Sequence, residues 1–256
     1  MKQIPNLFTL LNLVFGFIAI ICILQTGESL LDKDGGSWVA TLPEKIWWGA
    51  IFIGIAALVD FLDGFVARLF KAESALGKQL DSLADVVSFG VAPGLILYQM
   101  LRISYIGEET ALDTPIIYLL PVIIFPCAAA FRLARFNISD SGYQGFKGVP
   151  VPAAGLVAAS YPLILMYYPL VAPYILNKWV IYLVVIVLSW LMVSTLPLMA
   201  LKFKDYSLRN NLKRYLLLAV GLIAALLLNW LAIPVIFVFY IILSLIPEKN
   251  NIKNRE

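Results

Sequence analysis

The sequence contains no histidine, only two cysteines and few charged residues for its length. Without histidine, the chain cannot form Ser-His or Cys-His nucleophile pairs, nor a histidine-ligated metal site. Cys22 and Cys127 lie far apart in apolar runs, which excludes a disulfide framework and leaves the redox compartment undetermined. Charged residues make up 14% of the 256 residues, against about 25% in ordinary soluble domains. This composition excludes a soluble globular domain.

Hydrophobic residues, by contrast, make up 61% of the chain. A chain this apolar must bury its surface in lipid, so we predict an all-α integral membrane protein. Its partner is then the surrounding membrane lipid. A nucleic-acid partner is not expected, because the net charge is only +3.

The apolar runs predict how often the chain crosses the membrane. A helix needs about 20 mostly apolar residues to cross a hydrocarbon core of about 30 Å. This length predicts a polytopic bundle of about eight transmembrane helices, at residues 5–25, 45–69, 82–104, 115–136, 151–172, 178–200, 214–229 and 232–247. The last two are short and meet at a break between Asn229 and Pro234, so one long kinked helix, giving seven spans, is the alternative. Residues 1–256 form a single domain, in which 248–256 are a short polar tail.

Basic residues fall in alternate connections between the predicted spans. If the N-terminus is cytoplasmic, most of the 19 Lys and Arg residues lie on the cytoplasmic side, as is typical of membrane proteins. The acidic connections around 28–34 and 108–113 then lie outside. We therefore expect both termini to be cytoplasmic.

Four aspartates occur in or beside the second and third predicted spans. Asp60 and Asp63 are three residues apart, and Asp81 and Asp85 are four apart, so each pair shares one face of its helix. A charged residue inside a span costs about 2.5–3.5 kcal/mol on insertion scales, so such residues are functional candidates. The connection at about 70–76 is short enough to make the two helices antiparallel neighbours. We therefore expect the four carboxylates to converge in one cleft near the cytoplasmic surface.

Four carboxylates in one cleft repel one another unless cations lie between them. Oxygen ligands without His or Cys suit hard ions such as Mg²⁺ or Mn²⁺, between which the sequence does not choose. Two such ions bridged by carboxylates form a clamp for phosphoryl chemistry. Two alternatives are interfacial ion pairs with Arg68, Lys71 and Lys78, and an ion-coupled secondary transporter. A transporter predicts matching inverted repeats, whereas the acidic cluster occurs in only one half of the chain.

The acidic residues belong to a longer pattern, D-G-x₂-A-R-x₈-G-x₃-D-x₃-D, which runs from Asp63 to Asp85 with Asp60 three residues ahead. This pattern resembles the signature of the CDP-alcohol phosphotransferase family, and every position of it is present. The opening Pro5-Asn6-x₂-Thr9-x₂-Asn12 is similar to the first span of that family. Two later segments, residues 131–137 and the F-x-G-x-P-x-P pattern of 146–152, resemble its phosphatidylserine synthase branch.

The resemblance implies an enzyme that transfers the phosphatidyl group of a CDP-activated lipid to the hydroxyl of L-serine and releases CMP. The lipid is CDP-diacylglycerol or its ether-linked archaeal analogue, and the sequence does not distinguish the two. The same chemistry with another acceptor, such as glycerol 3-phosphate, inositol phosphate, choline or ethanolamine, is the alternative. The family also implies a homodimer. The predicted orientation places the cleft of aspartates, and with it the active site, on the cytoplasmic side.

By the same resemblance, two divalent ions, Mg²⁺ or Mn²⁺, are held by Asp60, Asp63, Asp81 and Asp85. Asp85 would in addition be the catalytic residue, acting as general base. The contacts with CDP would come from Asn6, Thr9, Asp63, Gly64, Ala67, Arg68 and Gly77. Helix capping or packing is an equally good explanation of Asn6 and Thr9.

Arg132 and Arg135 lie three residues apart on one helix face, and arginine is suited to bidentate capture of phosphate or carboxylate. We expect one to bind the lipid-side phosphate and the other, with Lys147, the serine carboxylate. Anchoring to lipid headgroups is the alternative. The polar, glycine-containing segment 137–152 is predicted to be a loop, either a serine-contacting lid or a plain connector.

Overall fold

The computed structural model describes residues 4–25, 33–34, 37–38, 45–69, 74–105, 114–138, 146–199, 207 and 211–246. These residues are almost entirely helical, which confirms the predicted all-α class. The helices are α1 (Ile4–Leu24), α2 (Ile46–Leu69), α3 (Ala75–Asp85), α4 (Ala92–Ser104), α5 (Ile116–Leu119), α6 (Ile124–Ile138), α7 (Val151–Tyr167), α8 (Ala172–Ile175), α9 (Lys178–Val193), α10 (Leu212–Leu228) and α11 (Ala232–Leu245). The structure also contains two antiparallel pairs of two-residue strands. β1 (Lys33–Asp34) pairs with β2 (Ser37–Trp38), and β3 (Phe146–Lys147) pairs with β4 (Pro197–Leu198).

Five helical stretches are long and apolar enough to cross a membrane: Pro5–Leu24, Ile46–Val66, Ala75–Ser104, Ile116–Ile138 and Leu212–Leu245. A sixth is added if Val151–Tyr167 and Pro169–Ile175, which are bent by 116° at their junction, count as one span. Lys178–Val193 is apolar but shorter. These helices indicate an integral membrane protein, although the count of five or six in the described residues does not confirm eight spans.

Leu212–Leu245 reaches this length only when α10 and α11 are counted together, and the two helices fold back on each other. Lys213 donates a hydrogen bond to the carbonyl oxygen of Ile246, and a Cβ on Gly221 would lie 3.8 Å from Cδ1 of Ile236. In one straight helix, residues as far apart in sequence as Lys213 and Ile246 would be separated by about 50 Å. Asn229, with φ of 45°, provides the reversal between α10 and α11. The alternative of a single long kinked helix is therefore wrong, because the two halves form an antiparallel hairpin.

The third helical stretch begins earlier than the predicted residue 82. The Ser74 hydroxyl accepts a hydrogen bond from the Gly77 backbone N–H at 3.0 Å and so caps α3, which begins at Ala75. From Asp85 the chain continues through a π-helical turn, Val86–Val91, directly into α4. This stretch therefore begins at Ala75 instead of residue 82, and only the last four residues of α3 lie within the predicted span.

Two other predicted spans are too long at their C-terminal ends. The span predicted at 151–172 is interrupted after Tyr167, because the chain bends sharply before Pro169–Val171. The span predicted at 178–200 ends at Val193, and Pro197–Leu198 forms β4 instead.

The prediction of a loop over 137–152 is wrong at both ends. α6 extends to Ile138, and α7 begins at Val151, while residues 139–145 lie outside the described part. Between β3 and α7, Gly148 has φ of 75°, and a Cβ there would lie 2.6 Å from the carbonyl oxygen of Ser194. Only glycine fits this conformation and this close approach to the end of α9.

The π-helical turn lies at the centre of the bundle and packs against three other helices. Its close contacts are Ser88 with Gly16 of α1, Phe89 with Gly155 of α7, and Gly90 with Ala129 of α6. Small residues allow helices to approach this closely in a membrane protein. The packing holds Asp85, the residue before the turn, inside the bundle, where it is 6% exposed.

Candidate active site

Three of the four aspartates converge as predicted, and Asp63 lies beside them. Asp60 and Asp63 lie on α2, and Asp81 and Asp85 lie on α3. Asp60, Asp81 and Asp85 each place one carboxylate oxygen within 4.8 Å of the other two. This spacing allows three carboxylates from two neighbouring helices to share a cation.

Asp63 is oriented differently from the other three. Its Oδ2 accepts a hydrogen bond from the hydroxyl of Thr9 on α1, and it is not part of the group within 4.8 Å. It is nevertheless close enough to Asp60 and Asp81 for Coulombic repulsion. The fourth carboxylate thus borders the cluster and is held by the first helix.

Asp85 is the innermost of the four carboxylates. Its Oδ1 accepts a hydrogen bond from Nδ2 of Asn12 on α1 at 3.3 Å. The guanidinium of Arg132 on α6 is close enough to attract the Asp85 carboxylate electrostatically. Residues of α1 and α6 therefore flank this side chain, which itself belongs to α3.

A cavity of about 610 Å³ opens beside the aspartates. It is lined by Pro5, Asn6, Thr9, Asp60, Asp63, Gly64, Ser74, Ala75, Gly77, Lys78 and Asp81. Five of the seven residues predicted to contact CDP are therefore on its wall. A cavity of this size can accommodate a ligand of nucleotide dimensions.

The two glycines of the cavity wall differ in their surroundings. A Cβ on Gly64 would meet no atom within 4 Å, so the missing side chain leaves open space beside the aspartates. A Cβ on Gly77 would lie 3.0 Å from Oγ of Ser74 and 3.1 Å from Oδ1 of Asn6. Gly64 therefore enlarges the cavity, whereas Gly77 allows α1 to approach the start of α3.

Arg68 and Ala67, the other two residues predicted to contact CDP, are not among the lining residues. Nε of Arg68 donates a hydrogen bond to the carbonyl oxygen of Gly64 in its own helix at 2.8 Å. Ala67 lies within α2, and its side chain is outside the described atoms.

The two arginines of α6 have different environments. Arg132 is buried, with 7% of its surface exposed, and its Cζ lies 6.0 Å from the ring centre of Phe136. Its Nε has no hydrogen-bond partner among the described residues. Arg135 donates to the carbonyl oxygens of Val193 at 2.7 Å and Ser194 at 3.1 Å, at the end of α9. Arg132 is the closer of the two to the aspartates. Lys147 lies in β3, and its side chain is outside the described atoms.

Sequence reasoning did not assign Lys78 and Ser74 to the cavity or Asn12 to Asp85. Nζ of Lys78 donates to the carbonyl oxygen of Asn137 at 3.1 Å and lies 5.7 Å from the ring centre of Phe136. The sequence could have indicated Lys78 as a cavity residue, because it directly follows Gly77 inside the acidic pattern. The capping role of Ser74 and the link from Asn12 to Asp85 depend on three-dimensional contacts.

The donor set suits hard divalent cations. It consists of carboxylate oxygens, and within the described part of the chain no lysine or arginine forms an ion pair with any of the four aspartates. Arg68 and Lys78 use their hydrogen bonds elsewhere, and Lys71 lies outside the described residues. Carboxylates this close together, with Arg132 as one nearby positive charge that forms no salt bridge to them, favour a bound cation over interfacial ion pairing.

Residues 2–193 match the family model described as CDP-alcohol phosphatidyltransferase. The CDP-diacylglycerol–serine O-phosphatidyltransferase of Bacillus subtilis is 34% identical over 157 residues, which are 61% of this chain and 73% of the relative. The archaetidylserine synthase of Methanothermobacter thermautotrophicus is 32% identical over 175 residues, 68% of this chain and 63% of the relative. The Saccharomyces cerevisiae CDP-diacylglycerol–serine O-phosphatidyltransferase is 36% identical over 159 residues, 59% of this chain and half of the relative.

Proposed function

The chain belongs to the CDP-alcohol phosphatidyltransferase family, and on this premise we propose that it transfers the phosphatidyl group of a CDP-activated lipid to L-serine. The serine oxygen forms a bond to the lipid-side phosphorus, and the bond from that phosphorus to the oxygen of the departing CMP breaks. The carboxylate cluster beside a nucleotide-sized cavity is the observation that carries this proposal. Relatives named for serine transfer, with diacylglycerol and archaetidyl lipids, support the choice of acceptor.

Two divalent ions, Mg²⁺ or Mn²⁺, would be held by Asp60, Asp63, Asp81 and Asp85. Bound there, they would supply positive charge that offsets the charge of the diphosphate. Three of these carboxylates already lie within 4.8 Å of one another, and Asp63 borders them. The family membership and the all-oxygen donor set both support this assignment.

Asp85 is the proposed general base that accepts the proton of the serine hydroxyl. In a chain without histidine, a carboxylate is the side chain available for this role. Asp85 is the most enclosed of the four and is held from α1, which gives it a defined orientation for proton transfer.

The cytidine diphosphate would occupy the cavity, with Asn6, Thr9, Asp63, Gly64 and Gly77 on its wall. Ala67 and Arg68 complete the proposed set, and Arg68 would reach the diphosphate by leaving its bond to the Gly64 carbonyl. The open space beside Gly64 favours placing the diphosphate in the part of the cavity that Gly64 lines.

Arg132, Arg135 and Lys147 are proposed to bind the anionic groups of the two substrates. We assign the serine carboxylate to Arg132, because its guanidinium is buried near Asp85 and its Nε has no partner among the described residues. Arg135 is assigned to the lipid-side phosphate, since two of its five N–H groups bond the end of α9 and three are left.

The chain is proposed to form one domain of eight spans, with both termini and the active site facing the cytoplasm, and to act as a homodimer. The distribution of Lys and Arg supports this orientation. A cytoplasmic opening would let a water-soluble amino acid and a membrane-bound donor meet at the same depth in the membrane.

The decisive experiment measures CMP release from CDP-diacylglycerol and from its ether-linked analogue by the purified protein. Candidate alcohols are added singly, and each reaction is repeated with EDTA and with excess Mg²⁺ or Mn²⁺. Serine-dependent release that EDTA abolishes and metal restores is the expected result. Release with glycerol 3-phosphate or inositol phosphate instead of serine would contradict the proposed acceptor.

A further inference from the structure

Two buried amide side chains connect α1 with the helical stretch Ala75–Ser104, which consists of α3, the π-helical turn and α4. Nδ2 of Asn12 donates to Oδ1 of Asp85 at 3.3 Å, and Nε2 of Gln99 donates to the carbonyl oxygen of Ile23 at 3.2 Å. Asn12 is 0% exposed and Gln99 is 3% exposed, and neither amide oxygen has a hydrogen-bond partner among the described residues. The two amides differ in what they hold, because only Asn12 bonds an aspartate of the cluster.

The backbone around Asn12 is held against the start of the π-helical turn. The hydroxyl of Ser88 donates to the Asn12 carbonyl oxygen at 3.1 Å. One helical turn further on, a Cβ on Gly16 would lie 2.2 Å from Oγ of Ser88, so glycine permits this approach. Asn12 is therefore anchored through its backbone as well as through its side chain.

The amide has one orientation that satisfies Asp85. An ionised carboxylate only accepts hydrogen bonds, so the N–H group of Asn12 must face it, and the amide oxygen must point away. This orientation leaves a buried amide oxygen without a partner among the described residues, which is unfavourable. Gln99 has the same kind of unpartnered oxygen, so Asn12 is distinguished by its hydrogen bond to an aspartate of the cluster.

We propose that Asn12 is a positioning residue that holds the Asp85 carboxylate in its reactive orientation. The inference rests on the proposed function of Asp85 as metal ligand and general base. With Oδ1 held by Asn12, rotation of the carboxylate is restricted, so both of its oxygens keep a constant direction. Catalytic groups depend on such orientation, and small displacements cost about 100-fold in rate.

The test compares Asn12→Leu with the matched control Gln99→Leu, which removes an equivalent buried amide from the same pair of helices. Asn12→Leu should lower kcat by about 10- to 100-fold and leave the KM for CDP-lipid within about threefold, in line with the effects of residues that orient metal ligands. Mn²⁺ binding to the substrate-free protein should weaken by about 10-fold. Gln99→Leu should change neither quantity and should lower only the thermal stability.

Equal loss of thermal stability in both variants, with unchanged kcat and Mn²⁺ affinity, would overturn the proposal and make Asn12 a packing residue. Asn12→Ser is the second variant, because it removes the contact without adding bulk or charge. It should reproduce the losses of kcat and Mn²⁺ affinity, and wild-type values would likewise overturn the proposal.

Failure of the proposed function would give results that differ from failure of the positioning role. If the wild-type protein releases CMP with another alcohol, the acceptor is wrong, but the ratio of Asn12→Leu to wild type still measures positioning. If the wild type releases no CMP, the Mn²⁺ affinities of the two leucine variants still decide whether Asn12 orients the carboxylate.

Discussion

Thr9 on α1 donates its hydroxyl hydrogen to Asp63 on α2, so the first helix holds the one aspartate that does not join the closely spaced group. This contact connects the opening pattern of the chain with the acidic pattern 54 residues later. The first helix is therefore a wall of the site, and its polar residues orient two of the four carboxylates.

Replacing Thr9 by Val keeps the shape of the side chain and removes the hydroxyl that orients Asp63. The Mg²⁺ concentration for half-maximal CMP release should rise by about 10-fold, the scale of losses when a residue behind a metal ligand is removed. Thr9→Ser, which keeps the hydroxyl, is the control and should remain close to wild type. An unchanged Mg²⁺ requirement in Thr9→Val would show that Asp63 does not depend on this contact.

Asp85→Asn should remove proton acceptance and keep most of the volume and packing of the side chain. General bases contribute about 10²- to 10⁴-fold, so kcat should fall by at least about 100-fold. The KM for CDP-lipid should change by less than kcat does, because the proposed nucleotide contacts lie on the cavity wall, and Asp85 is not among the residues that line it. Steady-state CMP release at saturating serine measures both constants, and a fully active variant would remove Asp85 as the base.

Gly64→Ala should separate binding from folding. A Cβ at Gly64 meets no atom within 4 Å, and alanine is favoured over glycine in a helix by about 1 kcal/mol, so the thermal stability should be equal or higher. The added methyl group would occupy the cavity, and the KM for CDP-lipid should rise. Gly54→Ala on the same helix is the matched control, because its Cβ also meets no atom within 4 Å and Gly54 does not line the cavity. Equal KM values in the two variants would place the nucleotide away from Gly64.

Arg132→Lys keeps the positive charge and removes the planar donor pair that suits a carboxylate. We expect the KM for serine to rise by about 10-fold, equivalent to about 1.4 kcal/mol, the scale of a hydrogen bond to a charged group. The KM for CDP-lipid should change less. Arg135→Lys is the comparison: it should raise the KM for CDP-lipid and lower thermal stability, because Arg135 also bonds the end of α9. If neither KM moves in either variant, both arginines are structural.

The sequence was sufficient to predict the convergence of Asp60, Asp81 and Asp85. Spacings of three and four residues place side chains on one helix face, and a short connection makes consecutive helices neighbours. Both rules are local, so they need no knowledge of the remaining bundle. The different orientation of Asp63 is caused by Thr9, which is remote in sequence, and no local rule predicts it.

Helix boundaries were predictable where hydropathy alone determines them. α1 and α2 lie within one residue of the predicted 5–25 and 45–69. The start of the helix that carries Asp81 and Asp85 was predicted too late, at residue 82, because the first turns of α3 are polar and amphipathic and the criterion counted only apolar runs. The hairpin of α10 and α11 was left undecided, since a reversal at Asn229 and a kink at Pro234 have the same sequence signal.

The π-helical turn at Val86–Val91 makes the length of this segment critical. A π turn is equivalent to one residue inserted into an α-helix, and one residue corresponds to about 100° of rotation around the helix axis. Deleting a single residue here would restore regular pitch and rotate α4 relative to the aspartates. Either the acidic face of α3 or the buried face of α4 would then turn toward lipid. In evolution this stretch should accept substitutions between small or apolar residues far more readily than any insertion or deletion.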